Sequence, residues 1–167
     1  MVASRRASAS GAPSNKITPF LWFDGKAEEA MEFYVSIFKN SKVISVTRTG
    51  PGPKAKAMSC VFRLDGQEFL ALNGGPQFTF TPAVSFFVNC ETQREVDELW
   101  ERLSEGGGEG RCGWLTDKYG LSWQIVPSVL GEMLQDKDAK KAKRVMDAML
   151  KMDKIDIRAL TRAYEQR

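Results

Sequence analysis

The chain of 167 residues contains no histidine. That absence removes Ser-His-Asp and Cys-His nucleophilic catalysis, imidazole acid–base chemistry and histidine metal ligation. A metal would need carboxylate, amide or thiolate ligands. Cysteine is scarce as well: Cys60, Cys90 and Cys112 are odd in number and widely spaced, with no CxxC pair. A reduced, cytoplasmic compartment fits that usage better than a disulfide framework. No apolar run approaches the roughly 20 residues a membrane helix needs, so no membrane partner is expected. No GxxxxGK[ST] phosphate loop is present, and no Gly-rich strand-to-helix turn is followed by an acid for a ribose, so no nucleotide-like cofactor is expected. The net charge of +3 is small and the basic residues are scattered, which argues against nucleic acid.

What remains is an ordinary globular composition of a length that suits one domain with tails. Residues 1–15 are rich in Ala, Ser, Arg, Gly and Pro and carry no acid. They read as a disordered tail, and an organelle transit remnant shares that composition. Residues 17–23 form a nearly continuous apolar strand, placed at an edge or start by Pro19. From Ala27 the period changes, and Ala30, Met31, Phe33, Tyr34, Ile37 and Phe38 give an amphipathic helix that stops near Asn40. Residues 42–49 alternate as a strand. Residues 57–64 and 67–73 flank Asp65-Gly66, a strong hairpin signal. Residues 83–90 form a further strand. Thr92-Gln93-Arg94-Glu95 is a capping box that opens a helix with the stripe Val96, Leu99, Trp100 and Leu103, ended by Gly106-Gly107-Gly108. Residues 111–116 and 121–126 are the arms of a last hairpin turning through Asp117 to Gly120.

The order is an internal repeat of βαβββ character, its second copy shortened after the helix. The expected class is therefore α+β: paired βαβββ modules forming a curved mixed sheet with outer helices, whose concave face is a usual place for a small ligand. The expected domain spans 16–127. Residues 128–167 then form a C-terminal helical extension packed on it, with a short helix at 128–134, a basic amphipathic helix at 139–152 and a last helix capped by Asp156.

Five stretches carry a family resemblance: Ile17-Thr18-Pro19-Phe20-Leu21-Trp22-Phe23, Glu29-Ala30-Met31-Glu32-Phe33-Tyr34, Ala71-Leu72-Asn73-Gly74-Gly75-Pro76, Ser85-Phe86-Phe87-Val88-Asn89-Cys90, and the hairpin from Cys112 to Pro127. Together they resemble the PhnB-like family of the glyoxalase/bleomycin resistance, or vicinal oxygen chelate, superfamily. Its members often carry the label 3-demethylubiquinone-9 3-methyltransferase. The tail from Arg144 to Ile157 is similar to that family's C-terminus. The resemblance implies a homodimer with a cleft on the concave face. In metal-dependent branches facing strands hold a divalent ion, and the resemblance puts those positions near Pro19, Ala83 and Gln124. Of these only Gln124 has a ligating oxygen, with Asn73 a second candidate, and two amides make a poor site. No metal is expected.

The candidate ligand-binding residues are Trp22, Asn73, Gln77, Trp114, Trp123 and Gln124. The three tryptophans could stack on a planar or apolar ligand or be plain core. Gln124 could face the cleft as a hydrogen-bonding group or satisfy the sheet. Asn73 and Gln77 flank Gly74-Gly75-Pro76 and could shape the cleft mouth or only make the turn. Glu68 reads as an exposed hairpin carboxylate, and if buried it becomes a candidate base. Cys112 reads as structural. No catalytic residue is assigned. The leading expectation is a small-molecule-binding protein taking an aromatic or apolar ligand without metal. The alternatives are an enzyme, either an O-methyltransferase of the kind the family label names or a divalent-metal lyase or dioxygenase, and an interaction module built on the Met-rich C-terminal helices.

Overall fold

The computed structural model describes residues 15–52 and 55–166. The expected N-terminal tail lies outside these residues, apart from Asn15. The chain divides into two units at Thr79/Phe80.

In the first unit, β1 (Phe20–Phe23) leads to α1 (Ala27–Ile37), then β2 (Lys42–Arg48), β3 (Ala57–Leu64) and β4 (Gln67–Asn73). The sheet order is β1-β4-β3-β2. β1 runs parallel to β4, and the other pairs are antiparallel. Pro19 sits just before β1, where its missing N–H costs nothing and its carbonyl still accepts from Leu70 N at 2.9 Å. β1 is an edge strand, as that proline predicts. Asp65 and Gly66 both adopt positive φ, the geometry of a two-residue hairpin turn. α1 buries Ala27, Ala30, Met31, Tyr34 and Ile37. The Tyr34 ring stacks on Phe62 at 6.5 Å, and Phe62 stacks on Phe69 at 5.5 Å. This face of the sheet, with Leu21, Phe23, Cys60 and Ala71, is the unit's core. Alternation puts Phe20, Trp22, Val61, Arg63, Glu68, Leu70 and Leu72 on the opposite face.

The second unit repeats the pattern. β5 (Ser85–Cys90) leads to α2 (Gln93–Ser104), a short β6 (Gly108–Glu109), β7 (Trp114–Thr116) and β8 (Ser122–Pro127). The order is β5-β8-β7-β6, again with the first strand parallel to the fourth. Each unit is thus one βαβββ module, and the predicted shortening after the second helix is real, because β6 has two residues and β7 three. Thr92 Oγ1 accepts from Glu95 N at 3.2 Å, while Glu95 Oε2 reaches back to Glu91 N at 2.8 Å. The box closes one residue earlier than the usual reciprocal pair. α2 buries Val96, Leu99, Trp100 and Leu103 and packs on β7 and β8. Leu115, Trp123 and Ile125 are buried on one face of those strands.

Three helices complete this unit: α3 (Ser128–Leu134), α4 (Ala139–Met149) and α5 (Ile157–Glu165). Leu130, Met133, Val145, Ile155 and Leu160 bury one another together with Val126 at the end of β8. The segment between α4 and α5 is tied back to the module. Cys112 N donates to Met152 O and Gly113 N to Asp153 O, both at 2.8 Å. Gln93 spans the junction, donating to Ile155 O at 3.0 Å and accepting from Ile157 N at 2.8 Å. No helix among the described residues is long and apolar enough to cross a membrane.

Candidate functional site

The candidate residues fall into two groups, one in each unit. In the first unit, Trp22, Asn73 and Gln77 converge on the turn after β4. Trp22 Nε1 donates to Gly75 O at 2.8 Å, and its ring meets Phe78 edge-on at 5.0 Å. The ring lies so close to Gly74 that a Cβ there would sit 2.2 Å from it. Only glycine fits. Asn73 uses both ends of its amide: Oδ1 accepts from Ala27 N at 2.8 Å and Nδ2 donates to Ala57 O at 2.9 Å. It ties the start of α1 to the start of β3. The exposed Gln77 side chain folds back over Gly75.

Asn73 also lines an open recess of about 600 Å³ with Glu28, Arg48, Thr49 and Met58. Glu28 and Arg48 spend their charges on each other, while Lys56 is a further charged residue of the lining. Arg48 forks onto Glu28 at 2.5 and 3.0 Å and also donates to Ala55 O. That bond holds the Arg48 pKa above its ordinary value. Thr49 Oγ1 donates to Lys56 O. The recess therefore offers little free hydrogen-bonding capacity from these side chains.

Glu68 departs from expectation. It is 4% exposed, on the face opposite α1, and accepts from Arg63 Nη2 at 2.5 Å. Its register partner across the hairpin is Arg63, so the strand pairing itself brings the charges together. A carboxylate held by a guanidinium is a poor proton acceptor, so burial alone does not make it a base.

In the second unit, Trp123 and Gln124 part company. Trp123 is 2% exposed, and its indole donates to Asp117 Oδ2 at 2.8 Å. It packs on Phe86 at 5.4 Å in the core beneath α2. Gln124 points to the opposite face, where strand register builds a row: Trp114 on β7 lies opposite Gln124 on β8, which lies opposite Phe87 on β5. Opposite residues of an antiparallel pair such as Trp114 and Gln124 have Cβ atoms about 5 Å apart. Phe87 is 55% exposed, while Trp114 and Gln124 are half-buried. Gln124 Nε2 donates to Ser85 Oγ at 2.9 Å, which turns Oε1 away from Ser85.

Three of the four indole N–H groups have acceptors: Trp22 on Gly75, Trp100 on Glu109 and Trp123 on Asp117. Among the described residues Trp114 has none. The row thus carries two aromatic surfaces, with an indole N–H and an amide oxygen that have no partner among the described residues. Phe87 and Ser85 were missed by the sequence reading. The alternation of residues 83–90 against the hairpin could have found Phe87 once the parallel register was known.

The donor set does not fit a divalent ion. Pro19 and Ala83 supply no ligating side chain, Asn73 Oδ1 already accepts from Ala27 N, and Gln124 donates to Ser85 through Nε2. Among the described residues no three His, Cys, Asp or Glu side chains gather to hold a metal. Cys60 and Cys90 are buried, and burial pushes their pKa values up to about 11 and about 12. Neither is a poised thiolate.

Two mixed sheets, each a βαβββ repeat with its first and fourth strands adjacent, make the α+β architecture expected of the glyoxalase/bleomycin resistance superfamily. The family model for 3-demethylubiquinone-9 3-methyltransferase matches residues 15–126. A PhnB protein from Bacillus cereus is 42% identical, with a TM-score of 0.63, over 68% of this chain and 100% of its own. The chain belongs to this PhnB-like family. A Pseudomonas aeruginosa protein shares the fold at 19% identity, with a TM-score of 0.57, over 68% of this chain and 97% of its own. The fosfomycin resistance protein FosX from Listeria monocytogenes, complexed with Mn(II) and sulfate, is also similar. It has 17% identity and a TM-score of 0.48, over 67% of this chain and 90% of its own. No curated protein matches.

Proposed function

We propose that this PhnB-like protein binds a small aromatic or apolar molecule on the face of the second sheet that carries Trp114, Gln124 and Phe87, and that it does so without a metal. The observation behind this reading is the row itself. Two accessible rings flank an amide whose nitrogen is anchored on Ser85. Rings at this spacing give a planar ligand offset or edge-on contacts, each worth about 1 kcal/mol beyond the area buried. The metal-free part rests on the donor chemistry, because one half-engaged amide is a weak ligand for a hard cation. Trp22, Asn73 and Gln77 have a supporting role in this reading, holding the end of β4 and the turn that follows it.

A homodimer is part of the proposal, as the family resemblance implies. So is a cytoplasmic setting, which suits three free thiols. The second reading is enzymatic. The matching family model is described as a 3-demethylubiquinone-9 3-methyltransferase, and that activity requires a methyl donor for which the sequence shows no recognisable cradle.

The test is an NMR titration with anisole, an aromatic probe without a hydrogen-bond donor. The ring signals of Trp114 and Phe87 should move, and Trp114→Ala and Phe87→Ala should each weaken the response. A response confined to other residues, or none at all, counts against the site.

A further inference from the structure

Two cations of the C-terminal helices line a groove and have no acid to answer them. The groove runs between α4 and α5 and has a volume of about 450 Å³. Lys151 and Ala148 line it on the α4 side, and Arg162, Ala159 and Ala163 on the α5 side. Arg144 holds its walls in place, donating to Ala163 O at 2.9 Å and to Tyr164 O at 3.1 Å, which clamps α4 onto the end of α5. Asp147, the acid of the lining, pairs with Lys143 at 2.7 Å. The acids at the helix starts are engaged as well: Asp138 accepts from Lys140 N and Lys141 N, and Asp156 from Ala159 N. Asp136 takes the Tyr164 hydroxyl. Glu165 lines the adjoining recess and makes no ion pair with Arg162 among the described residues. Lys151 and Arg162 are both exposed, and neither has an acidic partner among the described residues.

We infer that this groove docks an acidic peptide segment of a partner protein, whose carboxylates pair with Lys151 on one wall and Arg162 on the other. Charge complementarity of this kind sets partner choice and the rate of encounter. Arg162 offers a planar fork to a carboxylate, and Lys151 a mobile point charge. The two cations stand on separate helices. Carboxylates spaced along a chain reach each of them independently, so the cations need not converge on one point. An anionic membrane fits less well. At about 3.6 residues per turn, the exposed Met146 and Leu150, the apolar anchors of α4, lie on the side of that helix away from Ala148 and the groove. Nucleic acid also fits less well, because no ring lines the groove for a base to stack on. These helices follow residue 126, where the match to the family model ends. The docking surface is therefore independent of the aromatic binding reading and stands or falls without it.

A short fluorescein-labelled peptide of glutamate and alanine is titrated into the full-length protein at low salt, with fluorescence anisotropy for affinity and NMR for location. The backbone signals of Ala148, Ala159 and Ala163 should move. Lys151→Glu and Arg162→Glu should each weaken binding about threefold, and the double reversal about tenfold. Lys39→Glu, an exposed change of equal charge on the first unit, should leave it unaltered. Equal weakening in Lys39→Glu would reduce the effect to net charge and overturn the proposal. Binding that survives the double reversal overturns it as well, as does a peptide that leaves the groove signals still. Inorganic phosphate and phosphatidylserine vesicles are titrated in parallel. If either moves the groove signals and the peptide does not, the groove takes a small anion or a lipid headgroup and the proposal falls.

Discussion

The Asp117 carboxylate holds the Trp123 indole at 2.8 Å through Oδ2, while Oδ1 accepts from Tyr119 N at 2.9 Å and Leu121 N at 3.1 Å. One 2% exposed side chain therefore closes the hairpin turn and pins the core tryptophan of β8. This turn joins the two strands whose register sets Gln124 opposite Trp114. Removing the carboxylate strands three donors. Asp117→Ala should cost roughly 3 kcal/mol in urea unfolding. In a double-mutant cycle with Trp123→Phe, a coupling of roughly 1 kcal/mol is expected. A loss indistinguishable from zero would mean that the turn stands without Asp117.

Gly74 and Trp22 form a second dependent pair. A Cβ at Gly74 would meet the Trp22 ring at 2.2 Å. Gly74→Ala should therefore destabilise by about 1–3 kcal/mol, the usual cost of overpacking. In a Trp22→Ala background the same substitution should cost much less, because the ring it strikes is gone. Equal costs in both backgrounds would place the strain in the backbone instead.

The three thiols should differ in reactivity. Burial raises Cys60 to about 11, with Glu28 adding to the effect, and burial raises Cys90 to about 12. Both stay protonated and covered at neutral pH. Cys112 is only half-buried. A thiol reagent at mildly alkaline pH should label Cys112 first in the native protein, and Cys60 and Cys90 only on unfolding. The same shifts set a sign for stability. A thiol whose folded pKa is raised stabilises fully below its unfolded value near 8.5 and loses that contribution as pH rises through the folded value. Alkaline destabilisation should therefore grow above about pH 9. Serine at both positions should flatten it.

The C-terminal helices carry their own pH dependence. Tyr164 donates to Asp136, and that bond both lowers the Asp136 pKa and raises that of Tyr164. The Asp136 contribution is present above its unfolded pKa, near 4, and lost as pH falls through the lower folded value. The Tyr164 contribution is present below about pH 10 and lost as pH climbs through its raised value. Tyr164→Phe should lower helix stability between these limits, remove the dependence at the alkaline end and reduce it at the acid end, where Asp138 N still donates to Asp136 at 2.8 Å. Circular dichroism melts across pH would check it, and an unchanged profile would contradict the bond's role.

The module order was legible in the sequence because each element carried a local signal. Asp65-Gly66 marked the hairpin, and β3 and β4 have the expected boundaries. Thr92 marked the start of α2, and Pro19 marked an edge. β6 was not legible, because two residues in Gly106–Gly110 have no periodicity to read. The first strand began later than its apolar run suggested, at Phe20 instead of Ile17, since apolar residues outside a ladder read like those within it. The site was legible only in part. Trp114 and Gln124 share a face because antiparallel register pairs them, but Trp123 could not be told apart from Trp114 until that register was known. Glu68 looked exposed because it follows a turn closely. Its burial comes from tertiary packing, and its partner Arg63 comes from the register. Phe87 joins the row only through the parallel pairing of β5 with β8, a contact between residues more than 30 apart in the chain for which sequence period gives no rule.

The most direct measurement is native mass spectrometry of the purified protein, prepared without chelator and compared before and after denaturation. It reads metal, bound organic mass and subunit number together. The account expects a dimer that carries no divalent ion, with any extra mass that of a small organic molecule released on unfolding. About one divalent ion per subunit would contradict it, and would assign Gln124 to metal ligation instead of to the binding of an aromatic or apolar ligand.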